Sequence, residues 1–125
     1  MATTPLEEMG VRRSQTWKAT ASSGVALLVL VTVHMVAHHF VVEEVGGLRT
    51  YAQVLDYISN PVMFVLEALF LLVVTIHAML GLRSVLFDFG LSARAKRLVA
   101  RGLVALGIAT IAYGVTLIGV LASRA

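Results

Sequence analysis

No cysteine occurs anywhere in the chain. Structural disulfides, thiolate metal sites and iron–sulfur ligation are therefore excluded within it, and any redox centre has to use histidine or a partner. Charge is also scarce, at 14% of 125 residues. There is no internal repeat and no low-complexity tract. No nucleophile–base set, phosphate-binding loop or dinucleotide fingerprint is present that would give the chain substrate chemistry of its own. What fills the space is apolar: 58% of the residues are hydrophobic and the mean hydropathy is +0.89, well beyond a soluble domain of this size.

The few charges are segregated. They leave apolar windows at about 21–42, 61–83 and 98–121, each near the ~20 residues that cross ~30 Å of hydrocarbon. The expectation is an all-α integral membrane protein with three transmembrane helices in an up-down-up bundle. Residues 1–20 form a cytoplasmic arm, loose or surface-lying over 1–16, and residues 21–125 the membrane domain. The first window is read as a mature helix, because it is too long for a signal peptide and carries histidines where a small-residue cleavage site would stand. Arg12, Arg13, Lys18, Arg83, Arg94, Lys96, Arg97 and Arg101 fall on one side, and only Arg49 and Arg124 on the other. This asymmetry places the N-terminus in the cytoplasm and the chain in the cytoplasmic membrane. Topology thus accounts for the basic excess without nucleic acid, while anionic membrane lipid would be attracted to it.

Between the first two windows, Gly46-Gly47 reads as a break. Leu48, Tyr51, Val54, Leu55 and Ile58 then recur with helical spacing, as expected of a short amphipathic segment on the outer surface. Asn60-Pro61 starts the second helix, with proline where a helix start tolerates it. In the third helix, Gly102, Gly107, Gly114 and Gly119 with Ala105, Ala109 and Ala112 allow close backbone approach.

The stretch TVHMVAHHFVVEE holds His34, His38 and His39, and a fourth histidine, His77, lies in the second helix. A polar ring at membrane depth needs a partner, either a hydrogen bond from a neighbouring helix or a ligand. His38 and His39 lie near Glu43 and can reach interfacial water. His34 is 16 residues from Lys18, ~24 Å along the helix, whereas His77 is 6 residues from Arg83, ~9 Å from the same side. A difference of ~15 Å in depth prevents both from ligating one haem iron. Glu67 sits at about the depth of His34, as a structural pair, a neighbour of a cofactor there or part of a proton path. On the second helix His77, Gly81, Ser84 and Asp88 share a face. The glycine leaves room for a flat macrocycle, and Arg83 offers a bidentate fork to a carboxylate such as a haem propionate, or else anchors the membrane boundary.

The string His77-x-x-x-Gly81-Leu82-Arg83-x-x-x-x-Asp88-Phe89-Gly90 resembles the second-helix motif of the membrane-anchor subunits of succinate dehydrogenase and fumarate reductase, respiratory complex II. The size, the three helices and the Trp17…Ser23-Gly24…His34 arrangement extend the resemblance over nearly the whole chain, towards the small D-type anchors. It implies that His77 is an axial ligand of haem b near the cytoplasmic side, with Gly81, Arg83 and Ser84 beside it. It also implies that His34, with His38 as the fallback, ligates a second, outer haem. Each haem would be shared with a second membrane anchor subunit. A flavoprotein subunit would oxidise succinate, and an iron–sulfur subunit would carry the electrons to ubiquinone or menaquinone. Two departures touch the quinone site: no arginine closely precedes Ser23-Gly24, and Phe89 stands where many D-type anchors carry tyrosine. Ser23 and Asp88 are then the local quinone candidates. The alternatives are a fumarate reductase anchor, a cofactor-free ion or proton translocator relaying through His34, Glu67 and His77, and a structural subunit whose histidines bind nothing.

Overall fold

The computed structural model describes residues 4–40 and 49–125; Gly46-Gly47, Leu48 and the last two residues of the first apolar window lie outside the described residues. Four helices follow in order: α1 (Pro5–Phe40), α2 (Tyr51–Ser59), α3 (Pro61–Asp88) and α4 (Ala93–Ala122). Three of them, α1, α3 and α4, are long and apolar enough to cross a membrane, and no strand occurs among the described residues.

Each start has a local cause. Thr4 and Glu7 cap α1 reciprocally: Glu7 N–H donates to Thr4 Oγ1 at 3.4 Å and Thr4 N–H to Glu7 Oε2 at 2.9 Å. Thr50 and Gln53 form the same box at α2. Asn60 ends α2 and begins α3, its Oδ1 accepting from Val62 N–H at 2.9 Å with Pro61 in the first turn. Gly90, with φ of 69°, turns the chain out of α3 in a conformation that disfavours a side chain. Ser92 then caps α4, accepting from Ala95 N–H.

The long helices overrun the apolar windows. α1 begins at Pro5, so residues 5–16 of the segment read as a loose or surface-lying arm are helical and continuous with the span. At 36 residues, about 54 Å, α1 is far longer than a bilayer core. α3 continues past residue 83 to Asp88, and α4 starts at Ala93, so Arg94, Lys96 and Arg97 lie in its first turns.

α3 is the centre of the assembly. It packs antiparallel against α1 on one side and α4 on the other, and α1 and α4 do not pack together among the described residues. The long helices thus form a single layer, with α2 laid across α3 and α4 at one end. Gly107 meets Met79 and Thr75, and a Cβ at Gly114 would overlap Leu71, so these two glycines set the α3–α4 approach. Gly102 and Gly119 face open space. Little is buried. Ala37, Tyr57, Ile58, Leu103 and Thr75 are the buried hydrophobic and polar side chains, while Leu28, Val62, Ile108 and Tyr113 are among many large apolar residues left uncovered. A layer with two apolar faces suits lipid and partner helices rather than water.

α2 confirms the expected amphipathic segment with one change of face. Ile58 is buried, but Tyr51 is 58% exposed, and Tyr57, outside the apolar pattern, is buried in its place. Its hydroxyl reaches Glu67 on α3, which rewards turning that face inward.

Candidate functional site

Two polar sites interrupt the apolar layer, one at the basic end, where α1 starts and α3 ends, and one at the far end, under α2. At the basic end, His77 of α3 faces α1. Its Nδ1 lies 3.0 Å from Ser23 Oγ, and Ser23 donates its own proton to the Thr20 carbonyl at 3.0 Å. The Ser23 hydroxyl can both donate and accept, and it engages the imidazole through Nδ1. Nε2 is engaged by no described residue. Gly24 makes the fit possible, since a Cβ there would come within 3.3 Å of His77 Cε1. One turn along from His77, Gly81 opens onto free space. An oriented imidazole with a free Nε2 beside an uncovered glycine has the features a haem ligand needs.

Arg83, Ser84 and Asp88 continue toward the end of α3. With Trp17, Thr20 and Lys96 they line a cavity of about 640 Å³. The Arg83 guanidinium lies 4.5 Å from the Phe87 ring centroid, and the Lys96 ammonium 5.5 Å from the same ring. Neither cation has a carboxylate partner among the described ion pairs. Arg83 also closes one end of an apolar groove of about 290 Å³ between α3 and α4.

The far-end site is built around one carboxylate oxygen. Glu67 Oε1 accepts from His34 Nδ1–H at 2.9 Å, from His38 Nε2–H at 3.1 Å and from Tyr57 O–H at 2.6 Å. His34 and His38 stand one turn apart on α1, with ring centroids 4.2 Å apart, and Phe70 stacks on His34 at 4.7 Å. Arg49 Nη2 donates to the His38 carbonyl at 2.7 Å and lies over the Tyr57 ring. Burial, and then the bond to Glu67, push the Tyr57 phenol well above its ordinary value, so it remains a donor. Among the described residues nothing engages His34 Nε2, whereas His38 spends Nε2 on Glu67 and keeps only Nδ1, the nitrogen crowded by its own backbone. The ligand atoms of His34, His38 and Glu67 lie within 4.8 Å of one another, close enough to hold a single divalent ion. The same atoms also close a hydrogen-bond network without one.

The predicted residues divide cleanly between these sites. Ser23, His77, Gly81, Arg83, Ser84 and Asp88 gather toward the basic end, and His34, His38 and Glu67 at the far end. His39 is exposed and packs edge-on to Phe40. Tyr57, Phe70 and Arg49 escaped the sequence reading, although Tyr57 lies ten residues before Glu67 across a capped corner, which is a signal that a helical turn can bring the two together. Glu67 and His77 are 10 residues apart on α3, about 15 Å, as the depth argument expected. A relay linking His34, Glu67 and His77 would have to bridge that gap.

Comparison with known proteins identifies the family. Residues 12–116 match the succinate dehydrogenase/fumarate reductase transmembrane subunit family. A protein of Archaeoglobus fulgidus named succinate dehydrogenase hydrophobic membrane anchor subunit is 34% identical over 84 residues, 67% of this chain and 69% of its own. A protein of the same name from Thermoplasma acidophilum is 27% identical over 106 residues, 85% of this chain and 84% of its own. No solved structure matches. With a match over most of its length, the chain belongs to the succinate dehydrogenase/fumarate reductase transmembrane subunit family.

Proposed function

We propose that this complex II membrane anchor holds one haem b at each end of its helical layer and completes both haems with a second membrane subunit. The anchor role itself follows from family membership and from the relatives' names, and the three apolar helices make the chain a multi-pass membrane protein. Eight basic residues on the His77 side against two on the other favour a cytoplasmic N-terminus in the cell membrane. Residues 1–20 then lie at the cytoplasmic side and 21–125 make up the membrane domain.

The observation that carries the proposal is the contact at His77. Ser23 Oγ engages Nδ1 at 3.0 Å and leaves Nε2 for iron, with Gly81 open one turn along. His34 repeats the arrangement at the far end, with Nδ1–H on Glu67 and Nε2 free. His34 is therefore preferred to His38 as ligand. A bound haem b supplies one-electron transfer between the iron–sulfur subunit and the quinone pool. The chain's own part is to orient the two imidazoles and to shield them with apolar helices. Arg83 offers its guanidinium to a propionate. The two histidines are too far apart to share an iron, and the single-layer fold leaves their open faces for a partner's helices and ligands.

Asp88, Ser84 and the basic-end cavity are the proposed quinone contact. Ser23 Oγ lies 3.0 Å from His77 Nδ1, so we assign that residue to positioning His77. In the assembled complex the flavoprotein and iron–sulfur subunits dock at the basic end and deliver electrons from succinate, or return them to fumarate if the chain serves a reductase. The test is a set of reduced-minus-oxidised spectra of the purified complex as wild type, His77→Ala and His34→Ala. One distinct b-haem signal disappears in each variant if the proposal holds; spectra unchanged in both would make the histidines structural.

A further inference from the structure

Glu67 is the most costly residue in the layer, a carboxylate at membrane depth with 17% of its side chain exposed against 22% for His34. Three donors meet on one of its oxygens, at 2.6, 2.9 and 3.1 Å. That arrangement holds negative charge in place, since every neighbour gives a proton and none accepts one. Hydrogen bonding within a poorly hydrated site is felt more strongly than in water. The basic-end counterpart differs: His77 Nδ1 meets the neutral hydroxyl of Ser23.

We infer that Glu67 lowers the reduction potential of the haem held by His34, acting as a positioning residue through the imidazole ring. The inference rests on His34 being that haem's ligand, as proposed above. An imidazole that gives its Nδ1–H to a carboxylate takes on imidazolate character and becomes a stronger donor through Nε2. Stronger donation stabilises ferric over ferrous iron and moves the couple to lower potential. Tyr57 modulates the effect by drawing on the same oxygen. Its hydrogen bond withdraws charge that would otherwise polarise His34. The two residues therefore push the potential in opposite directions, a pattern that mere structural support would not produce.

The experiment is a redox titration of the purified complex, following the absorption of the two b haems in wild type, Glu67→Gln and Tyr57→Phe, with His34→Ala identifying the far-end signal. Glutamine keeps an acceptor for His34 but removes the charge. The expected result is a higher midpoint potential for the far-end haem in Glu67→Gln and a lower one in Tyr57→Phe, with the basic-end haem unmoved in both. A far-end haem that keeps its potential in Glu67→Gln overturns the inference while leaving the ligand assignment intact. If His34→Ala removes no signal, the ligand assignment fails and the inference falls with it. Should Glu67→Gln assemble without its far-end haem, Tyr57→Phe decides: a lowered potential supports the inference and an unchanged one refutes it.

Discussion

The two ends of this protein solve one problem in different ways. At the basic end, a histidine is admitted by small neighbours: Gly24 gives the ring space and Ser23 gives it a neutral hydrogen-bond partner. At the far end, two histidines are gathered by a charge, with α2 folded over them to add Tyr57 as a third donor. Steric permission fixes His77, whereas electrostatic attraction fixes His34 and His38. The first mechanism fails when volume is added and the second when charge is taken away, so the ends respond to different substitutions.

The largest expected effect tests the steric side. Gly24→Leu puts a bulky side chain where even a Cβ would stand 3.3 Å from His77 Cε1. The ring then loses its place, and optical spectra of the purified complex are expected to lose the basic-end haem and keep the far-end one. Ser23→Ala is milder. Removing the Nδ1 partner lowers haem retention at the same end by about 10- to 100-fold, the usual cost of losing a partner that orients a metal-bound histidine, read as residual haem during washing or competition with apo-myoglobin.

The electrostatic side is probed by Glu67→Ala, which removes three interhelical hydrogen bonds at roughly 0.6 kcal/mol each, so about 2 kcal/mol of stability in lipid or detergent. Thermal unfolding should show it, with the basic-end haem signal retained up to the transition. Tyr57→Phe comes last, at about 0.6 kcal/mol for one of those three bonds. It also carries a pH signature. Because the folded-state phenol is raised above its ordinary 10.0, its contribution is fully present below that value. It is lost as the pH rises above 10.0 toward the shifted value. Stability that falls across that alkaline range in wild type should fall less in Tyr57→Phe.

Much of this was legible in residue order, for reasons that also mark where legibility stops. Hydropathy located three spans because lipid imposes length and apolarity together. The helices run past those windows, since an apolar window reports where lipid begins and not where helical hydrogen bonding ends. Nothing between Pro5 and Trp17 breaks a helix, so α1 runs on through polar residues. Counting residues along helices put Glu67 at the depth of His34, and the two are bonded. Direction around the helix was harder. The apolar spacing of α2 pointed Tyr51 inward, but the carboxylate across the Asn60 corner favoured Tyr57. Ser23 stood in the sequence as a quinone candidate, and its contact with His77 across 54 residues appears only once α1 and α3 are packed.

The central claim is that each end of the chain presents one imidazole Nε2 to its own haem. Its most direct test is the haem content of the purified complex, measured as pyridine haemochrome per complex in wild type, His77→Ala, His34→Ala and the double variant. The account predicts two haems, one, one and none. Two haems in every variant would contradict it.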